Sequence, residues 1–268
     1  MAATAFEKGY RVLYHWQSFN EERLTRTLKD LVIYCSSPEH FNDPWDCKPF
    51  FNTKILCDPE ENEKHIEWAA SICRRHSPMS ESDIESMKDT LRGDPARAKD
   101  LVMKISRSFV AETLQRYRVY CLGPDVGNLL MWAHYADSHK GICLEFSLRN
   151  DVMCTALPCE YLEEFPVMKL YSHENADVLH MLLAKAEPWC YEKECRIIAQ
   201  ERKRAIGTDT LMTDDGFLKL SKGALVSVIV GCQGDFGKVN SLVQAHAPNV
   251  KVKRAVRVPN RYSLQIEE

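Results

Sequence analysis

The stretch RVLYHWQSFNEERLTRTLKDLVIYCS, residues 11–36, contains the pattern that decides the fold class. Apolar and polar residues alternate over 11–16, which is typical of a strand, and this alternation places Leu13 and His15 on the same face. Asn20 then caps a helix over NEERLTRTLKD, and LVIYCS has the composition of a second strand. A strand, a helix and a strand in succession predict a fold that mixes both kinds of element.

Downstream of this opening, the pattern becomes helical. Three capping residues each precede a helical pattern: Asp58 before Pro59, Ser80 three residues before Asp83, and Asp94 before Pro95. We predict from these signals a helical insertion at about 58–117, within a single domain that spans residues 1–268. The sequence shows no internal repeat and no low-complexity tract.

After the insertion, strands and helices alternate irregularly. The predicted strands are RVYCLG at 118–123, GICLEFSL at 141–148, a short one at 159–162, one beginning near Glu194, ALVSVIVG at 224–231 and VKVKRAVRV at 250–258. The predicted helices are NLLMWAHYADSHKG, ending at Gly141, one at about 173–186 and one near 235–246. This irregular order predicts the α+β class, with a mixed, largely antiparallel sheet as the core.

The composition is that of a folded, globular chain. Of the 268 residues, 45% are hydrophobic and 27% are charged, which argues against disorder. A net charge of −3 gives no general attraction to nucleic acid or anionic membranes, although RKR at 202–204 and KVKRAVR at 251–257 are locally basic. The longest uncharged stretch, GALVSVIVGCQG, is too short to cross a bilayer. We therefore expect a cytoplasmic protein that makes no contact with membranes.

The eleven cysteines do not follow a metal-binding or disulfide pattern. No two of them form a CxxC pair, and the pairs at 154 and 159 and at 190 and 195 are each separated by four residues. Their odd number and their spread from Cys35 to Cys232 indicate reduced, mostly buried thiols. We expect no metal site.

Polar and aromatic residues form three candidate clusters. The first is His15, although a single histidine on a strand is more often a hydrogen-bonding residue of the fold than a catalyst. The second is FNDPWD at 41–46, in which Pro44 disfavours a helical conformation of the preceding residue. This segment is either a tight turn pinned in the core by its two aromatic residues or a rigid loop that holds Asp43 or Asp46 at the rim of a pocket.

The third cluster combines MWAHYADSHKG at 131–141 with KAEPWCYEKECRI at 185–197. On the predicted helix, Trp132, Tyr135 and His139 share a face, which belongs either to the core or to a ligand platform.

If the segment EKECRI is extended, Glu192, Glu194 and Arg196 point the same way at a spacing of two residues. Two acids beside an arginine form either a solvated salt bridge or a carboxylate that is held ready to face developing positive charge.

Taken in order and followed by VIVGC at 228–232, these motifs resemble the signatures of a widespread bacterial protein family without an established activity. Its members begin with a YHY-like strand and carry fNDPfe, MWshYa…G…F and W…yE.E.R motifs. The resemblance covers essentially the whole chain, and this sequence departs from the pattern at Trp16 and at Cys195, where an aromatic residue is common. The resemblance implies family membership more than a mechanism.

The order His15, Tyr135, Glu194 is similar to that of ADP-ribosyltransferases of the diphtheria-toxin and poly-ADP-ribose type. Those enzymes use a histidine on an early strand, a tyrosine in the middle of the domain and a glutamate on a late strand. The two glutamates of EKE at 192–194 also look like the pair in the arginine-modifying branch. The resemblance implies that NAD, or another nucleotide-like small molecule, is the substrate.

Each candidate residue has a role under this resemblance. Glu194, with Glu192 beside it, would stabilise the oxocarbenium-like state in which the nicotinamide–ribose bond breaks. His15 would orient the ribose through a hydroxyl group. Further residues would bind the rest of NAD: Tyr135 with Trp132 or Trp189 by stacking on a ring, and Arg196 or Lys185 by contact with the diphosphate or with the glutamate.

The sequence supports functions from different classes. The first is an NAD-consuming enzyme in bacterial defence or conflict, either a transferase to protein or nucleic acid or a glycohydrolase. It predicts that His15, Tyr135 and Glu194 converge on one cleft, with the FNDPWD loop lining another side. The second is a non-catalytic module that binds a ligand or a protein through the same aromatic residues. A nuclease is less supported, because no strand carries paired acids followed by a lysine. The sequence specifies neither the group that would accept ADP-ribose nor the oligomeric state.

Overall fold

The computed structural model describes residues 3–168, 175–205 and 210–268. It has the predicted α+β fold, with helices and a mixed sheet of mostly antiparallel strands. The chain divides into two compact units. The first comprises Met1–Asn42, Arg116–Tyr161 and Glu187–Glu268, and the second comprises Asp43–Gln115 and Leu162–Ala186. The second unit therefore contains the predicted helical insertion together with segments on either side of it.

The strands are, in chain order, β1 (Val12–Gln17), β2 (Val32–Tyr34), β3 (Phe50–Phe51), β4 (Tyr117–Leu122), β5 (Ile142–Ser147), β6 (Leu157–Pro158), β7 (Glu160–Leu162), β8 (Val167–Met168), β9 (Ala184–Ala186), β10 (Cys195–Glu201), β11 (Met212–Thr213), β12 (Phe217–Lys219), β13 (Leu225–Val230), β14 (Lys251–Arg257) and β15 (Leu264–Glu267). The α-helices are α1 (Glu21–Asp30), α2 (Pro59–His76), α3 (Glu81–Gly93), α4 (Pro95–Arg116), α5 (Leu129–Tyr135), α6 (Asn175–Leu183) and α7 (Phe236–His246).

The strand–helix–strand opening is confirmed in the first unit as β1, α1 and β2. The side chain of Asn20 accepts a 2.8 Å hydrogen bond from the backbone N–H of Arg23, which caps α1 as expected. Leu24 and Leu28, one turn apart on α1, are both buried in the core that also contains Leu13 of β1. The helix ends at Asp30, and the chain turns into β2 through Leu31, whose φ of 52° is left-handed.

The two largest sheets lie in the first unit. One has the order β1-β5-β13-β14-β15, in which only the β13–β14 pair is parallel. The other has the order β11-β10-β4, with β6 paired to β10. Tyr14 of β1 and Gly123, just after β4, exchange two backbone hydrogen bonds of 2.8 Å. This bridge fixes β1 beside β4, and the residues of β1 that follow it lie next to the candidate site.

The prediction for α5 is wrong at its C-terminal end. The apolar pattern predicts a helix to Gly141, but α5 ends at Tyr135. The next residues form a turn in which Asp137, Ser138 and His139 have φ values of 46°, 52° and 69°. His139 therefore does not share a helical face with Trp132. We call residues 136–141 the α5 turn.

Close backbone contacts hold the α5 turn in place. A Cβ atom at Gly141 would overlap the carbonyl oxygen of Gln17, and one at Gly231 would overlap that of His139. The N–H of Gly231 donates a 2.9 Å hydrogen bond to the carbonyl of Gly141. These contacts require glycine at both positions, because any side chain would force two backbone segments apart.

The three helices predicted for the insertion are confirmed in the second unit as α2, α3 and α4. The carboxylate of Asp58 accepts hydrogen bonds from the backbone of Glu60 and Glu61, at 2.9 and 3.0 Å. Ser80 forms a capping box with Asp83. Asp94 accepts a 3.1 Å hydrogen bond from the N–H of Arg97.

Most of the other predicted elements are observed. The predicted helix at about 173–186 corresponds to α6, but its last three positions form the strand β9 instead. Residues 173 and 174 lie outside the described residues. The strands expected at 159–162 and near Glu194 are β7 and β10. All eleven cysteines are described and none forms a disulfide: four are buried, five are intermediate and two are exposed. Within the described ranges, no helix is both long and apolar enough to span a membrane.

Candidate functional site

A pocket of about 270 Å³ lies in the first unit beside β1, and we call it the His15 pocket. It brings together two residues that the sequence singled out, His15 from β1 and Tyr135 from the end of α5. The other polar side chains among its lining residues are Gln17, Ser18, Arg23, Thr27, Tyr34, Ser36 and Tyr120. The pocket is therefore rich in hydrogen-bonding groups and carries one arginine.

His15 is held in one orientation and one tautomer. Its Nδ1 lies 2.8 Å from the carbonyl oxygen of Cys121, and its ring stacks on Tyr120 at a centroid distance of 4.1 Å. Since a carbonyl oxygen only accepts hydrogen bonds, Nδ1 carries the proton and Nε2 is an acceptor.

Burial, together with the charge of Arg23, lowers the pKa of His15 to about 4, against the opposing effect of the Cys121 hydrogen bond. The imidazole is therefore neutral at pH 7 and offers a lone pair.

Tyr135 is bonded to a buried carboxylate. Its hydroxyl donates a 2.7 Å hydrogen bond to Oε1 of Glu192, which is only 3% exposed. Glu192 lies in a 3₁₀ segment, Glu187–Glu192, and the following Lys193 has a φ of 48°. The prediction that Glu192 shares a strand face with Glu194 is therefore wrong, because the strand begins only at Cys195.

The same 3₁₀ segment also holds the other end of α5. The side-chain amide of Asn128, the N-cap of α5, donates a 2.9 Å hydrogen bond to the carbonyl of Tyr191. Together with the Tyr135–Glu192 bond, this contact attaches both ends of the short helix to residues 187–192. The hydroxyl of Tyr135 is therefore fixed relative to the His15 pocket.

Glu194 takes part in a different interaction. Its carboxylate accepts hydrogen bonds from Nε and Nη2 of Arg196, at 2.9 and 3.3 Å. Glu194 is 3% exposed and Arg196 is 0% exposed, so the pair is buried rather than solvated. Glu194 is not one of the described residues that line the His15 pocket. The expected convergence of His15, Tyr135 and Glu194 is therefore observed for the first two alone.

The two tryptophans that were expected to stack on a ligand have different environments. Trp132 is fully buried, and its indole N–H donates a 2.7 Å hydrogen bond to the carbonyl of Val126. This supports the interpretation of Trp132 as a core residue. Trp189 is half-buried beside His134 and Tyr191, at centroid distances of 6.3 and 6.1 Å.

The remaining candidates, Asp43, Asp46 and Lys185, belong to the second unit and are all buried. Asp43 accepts a 2.9 Å hydrogen bond from the N–H of Trp45, which is the bond expected of an aspartate that stabilises a tight turn. Trp45 is 63% exposed, so of the two alternatives, the one in which this residue pins the turn in a core is not observed.

Two residues of the His15 pocket were missed from the sequence. Gln17 follows His15 on the same face of β1, and its side-chain nitrogen is buried without a hydrogen-bond partner in the described part of the chain. Arg23 is an exposed cation in the first turns of α1. The spacing of two residues from His15 could have identified Gln17, whereas Arg23 enters the pocket only because α1 folds back beside β1.

Searches for similar protein families, curated proteins and solved structures found no match. The described residues also contain no group of three His, Cys, Asp or Glu side chains that could hold a metal ion. The chemistry of the site is therefore argued from the His15 pocket itself. The pocket offers a neutral histidine acceptor, a buried amide donor, a rim cation and a phenol bonded to a carboxylate.

Proposed function

We propose that the chain binds NAD with its nicotinamide riboside part in the His15 pocket and cleaves the bond between nicotinamide and ribose. The observation that carries the proposal is that His15 and Tyr135 line one pocket while Tyr135 is bonded to the buried carboxylate of Glu192. Pockets for whole drug-sized ligands measure roughly 300–1,000 Å³. A pocket of about 270 Å³ suits part of a dinucleotide, with the remainder extending outside.

The polar groups of the pocket match the polar groups of this ligand. Nε2 of His15 would accept a hydrogen bond from a ribose hydroxyl, because its pKa of about 4 keeps the ring neutral. The amide of Gln17 would donate to a ligand oxygen and so satisfy a buried nitrogen. Arg23 at the rim would pair with the phosphate next to the ribose.

The bond cleavage places developing positive charge opposite Tyr135. As the bond to nicotinamide breaks, its electron pair moves onto the ring nitrogen, and positive charge develops on the ribose carbon. The phenol oxygen of Tyr135 becomes more negative because its proton is shared with the Glu192 carboxylate. Water or an acceptor group then bonds to the ribose carbon and releases a proton to the solvent.

The assignment of the carboxylate differs from the one that the sequence suggests. Glu194 was expected to face the sugar, but its two oxygens are bonded to Arg196. Glu192 acts in its place through Tyr135, which makes Tyr135 the catalytic residue and Glu192 a positioning residue. The resemblance of the histidine, tyrosine and glutamate order to ADP-ribosyltransferases supports the same chemistry.

Release of nicotinamide from NAD tests the proposal directly. The wild-type chain should release nicotinamide, measured by chromatography, with water or an added protein or nucleic acid as acceptor. Tyr135→Phe should lower the rate at least tenfold, and Glu192→Gln should lower kcat more than it raises KM. Tyr10→Phe, a tyrosine outside the pocket, is the matched control. Failure of the wild-type chain to release nicotinamide with any acceptor would overturn the proposal.

A second candidate is a module that binds a nucleotide-like ligand without turning it over. The buried pairing of Glu194 with Arg196 favours it, because the carboxylate expected to face the sugar is already neutralised. Calorimetry separates the two functions. Binding of NAD that is weakened by His15→Ala, without release of nicotinamide, would support the binding module.

A further inference from the structure

A second, larger cleft of about 780 Å³ lies in the first unit, and we call it the basic cleft. The loop between β14 and β15, at 258–263, forms one wall, and the α5 turn with residues 232 and 233 forms the other. Its polar lining residues include Arg257, Arg261, Tyr262, Asn260, His139 and Gln233. No aspartate or glutamate of the described chain lines it, so nothing in the cleft opposes the charge of the two arginines.

The two arginines and the tyrosine are presented to solvent. Arg257 and Arg261 are both exposed, and neither takes part in a salt bridge within the described residues. Tyr262 is fully exposed, at 101% of its reference area. An exposed aromatic ring that directly follows an exposed arginine and covers no core surface is better explained by a ligand than by folding.

The loop is ordered before any ligand binds. The N–H of Val258 donates to the carbonyl of Ser263 at 3.1 Å, and that of Arg261 donates back to Val258 at 3.3 Å. Asn260 has a left-handed φ of 61°, and the ring of Pro259 before it restricts the proline's own φ. Because the loop is closed by its own backbone, binding would not require its residues to lose much conformational freedom.

The opposite wall is equally constrained. The backbone N–H of Gln233 donates to the carbonyl of His139 at 3.0 Å, and its side-chain amide donates to the carbonyl of Ser138 at 3.2 Å. Both walls are therefore pre-formed.

The basic sequence KVKRAVR contributes one of its four cations to the cleft. Lys251 pairs with Glu268 at 2.8 Å, and Lys253 pairs with Glu145 at 2.8 Å, so both lysines are largely neutralised. Arg257, at the end of the same strand, lines the cleft. Arg254, the fourth basic residue of the stretch, is exposed and does not line the cleft.

We infer that the basic cleft binds a nucleoside phosphate unit, either as a free nucleotide or within a single-stranded nucleic acid. Planar guanidinium groups bind phosphate oxygens in pairs, and an exposed tyrosine provides a face on which a base stacks. In this open cleft, which no carboxylate lines, the guanidinium groups suit the phosphate and the tyrosine ring suits the base of such a ligand. Binding here does not depend on cleavage of NAD in the His15 pocket.

Fluorescence anisotropy tests the inference. The probes are labelled 12-nucleotide single strands of RNA and of DNA with the same sequence, titrated with the full chain at 50 and 200 mM salt. The wild-type chain should bind at low salt and lose affinity at high salt, as expected for phosphate contacts. Removal of both cleft arginines, by Arg257→Ala with Arg261→Ala, should weaken binding at least tenfold.

Two tyrosine variants and one arginine control make the result specific. Tyr262→Ala should weaken binding by roughly five- to a hundredfold, whereas Tyr262→Phe keeps the ring and should bind like the wild type. Arg149→Ala removes an exposed arginine outside the cleft and should leave affinity within about twofold, because it loses at most one distant charge.

Competition identifies the source of the ligand. Displacement of the probe by uridine or adenosine monophosphate at similar nucleotide concentration would assign the cleft to free nucleotides. Displacement only by unlabelled oligonucleotide would assign it to single strands. The inference is overturned if neither the labelled strands nor labelled adenosine monophosphate binds at 50 mM salt, or if the double arginine variant binds as tightly as Arg149→Ala.

Discussion

Tyr135 donates a 2.7 Å hydrogen bond to the carboxylate of Glu192, which lies 57 residues further along the chain. The bond joins the last residue of α5 to the 3₁₀ segment before β10, and it is the contact on which the proposed chemistry depends. It also contributes to the stability of the fold, since hydrogen bonds to charged groups stabilise proteins by roughly 1.5–3 kcal/mol.

Tyr135→Phe should therefore lower the free energy of unfolding by about 2 kcal/mol, because it removes the donor to a buried carboxylate and keeps the ring. Urea unfolding followed by circular dichroism measures the change. Tyr10→Phe, which removes a hydroxyl elsewhere in the same unit, should leave the free energy nearly unchanged. Equal stabilities of the two variants would mean that the bond contributes nothing.

Glu194→Gln should destabilise the protein by about 3 kcal/mol, since it removes the charge of a carboxylate that lies 2.9 Å from the buried guanidinium of Arg196. Glu187→Gln changes an exposed glutamate close by and should have little effect. Thermal and urea unfolding of both variants tests this. NAD turnover by Glu194→Gln should be measured well below the midpoint temperature of its thermal unfolding, because a loss of turnover near that temperature would reflect unfolding.

The stability of the protein should fall as the pH decreases from about 6.5 to 4. His15 has a folded-state pKa of about 4, against 6.5 for the unfolded chain, so in this range the unfolded chain binds the extra proton. The imidazole alone should account for a loss of roughly 3 kcal/mol between pH 7 and pH 4.

His15→Phe keeps a ring against Tyr120 and removes the titration. The difference between the two pH profiles, measured by urea unfolding, isolates the histidine. Parallel profiles of wild type and variant would contradict the assignment of a depressed pKa to His15.

Arg23→Ala should raise the pKa of His15, because the guanidinium disfavours a second positive charge in the same pocket. Titration of the imidazole by NMR measures the shift. Lys29→Ala removes a cation from the last turn of the same helix and should leave the pKa of His15 where it is. An unchanged pKa in Arg23→Ala would place the arginine too far away to bind the phosphate proposed for it.

The sequence predicted those parts of the fold that depend on local signals. Asn20, Asp58 and Ser80 begin helices where their side chains accept backbone hydrogen bonds, and such caps are readable from neighbouring residues. The strands were predictable for the same reason, because apolar and polar residues that alternate over a short segment indicate which face of a strand is buried. Of the three residues that the first hypothesis expects in one cleft, His15 and Tyr135 line the same pocket and Glu194 does not.

The failures occur where distant segments decide the local structure. The end of α5 is set by backbone contact with Gly231, more than ninety positions later, and no nearby residue signals it. Glu192 departs from the strand because Lys193 adopts a left-handed conformation and Tyr135 bonds to the carboxylate. Arg23 could not be assigned to the pocket before the packing of α1 was known.

Gly141 and Gly231 make close backbone contacts next to the two proposed ligand-binding regions. Gly141 lies against Gln17, a neighbour of His15, whereas Gly231 lies against His139 of the basic cleft. The α5 turn therefore contacts backbone segments that belong to both regions. A methyl group at position 231 would disturb both at once, and the glycine of VIVGC is better understood as a spacer between crossing chains than as a participant in chemistry.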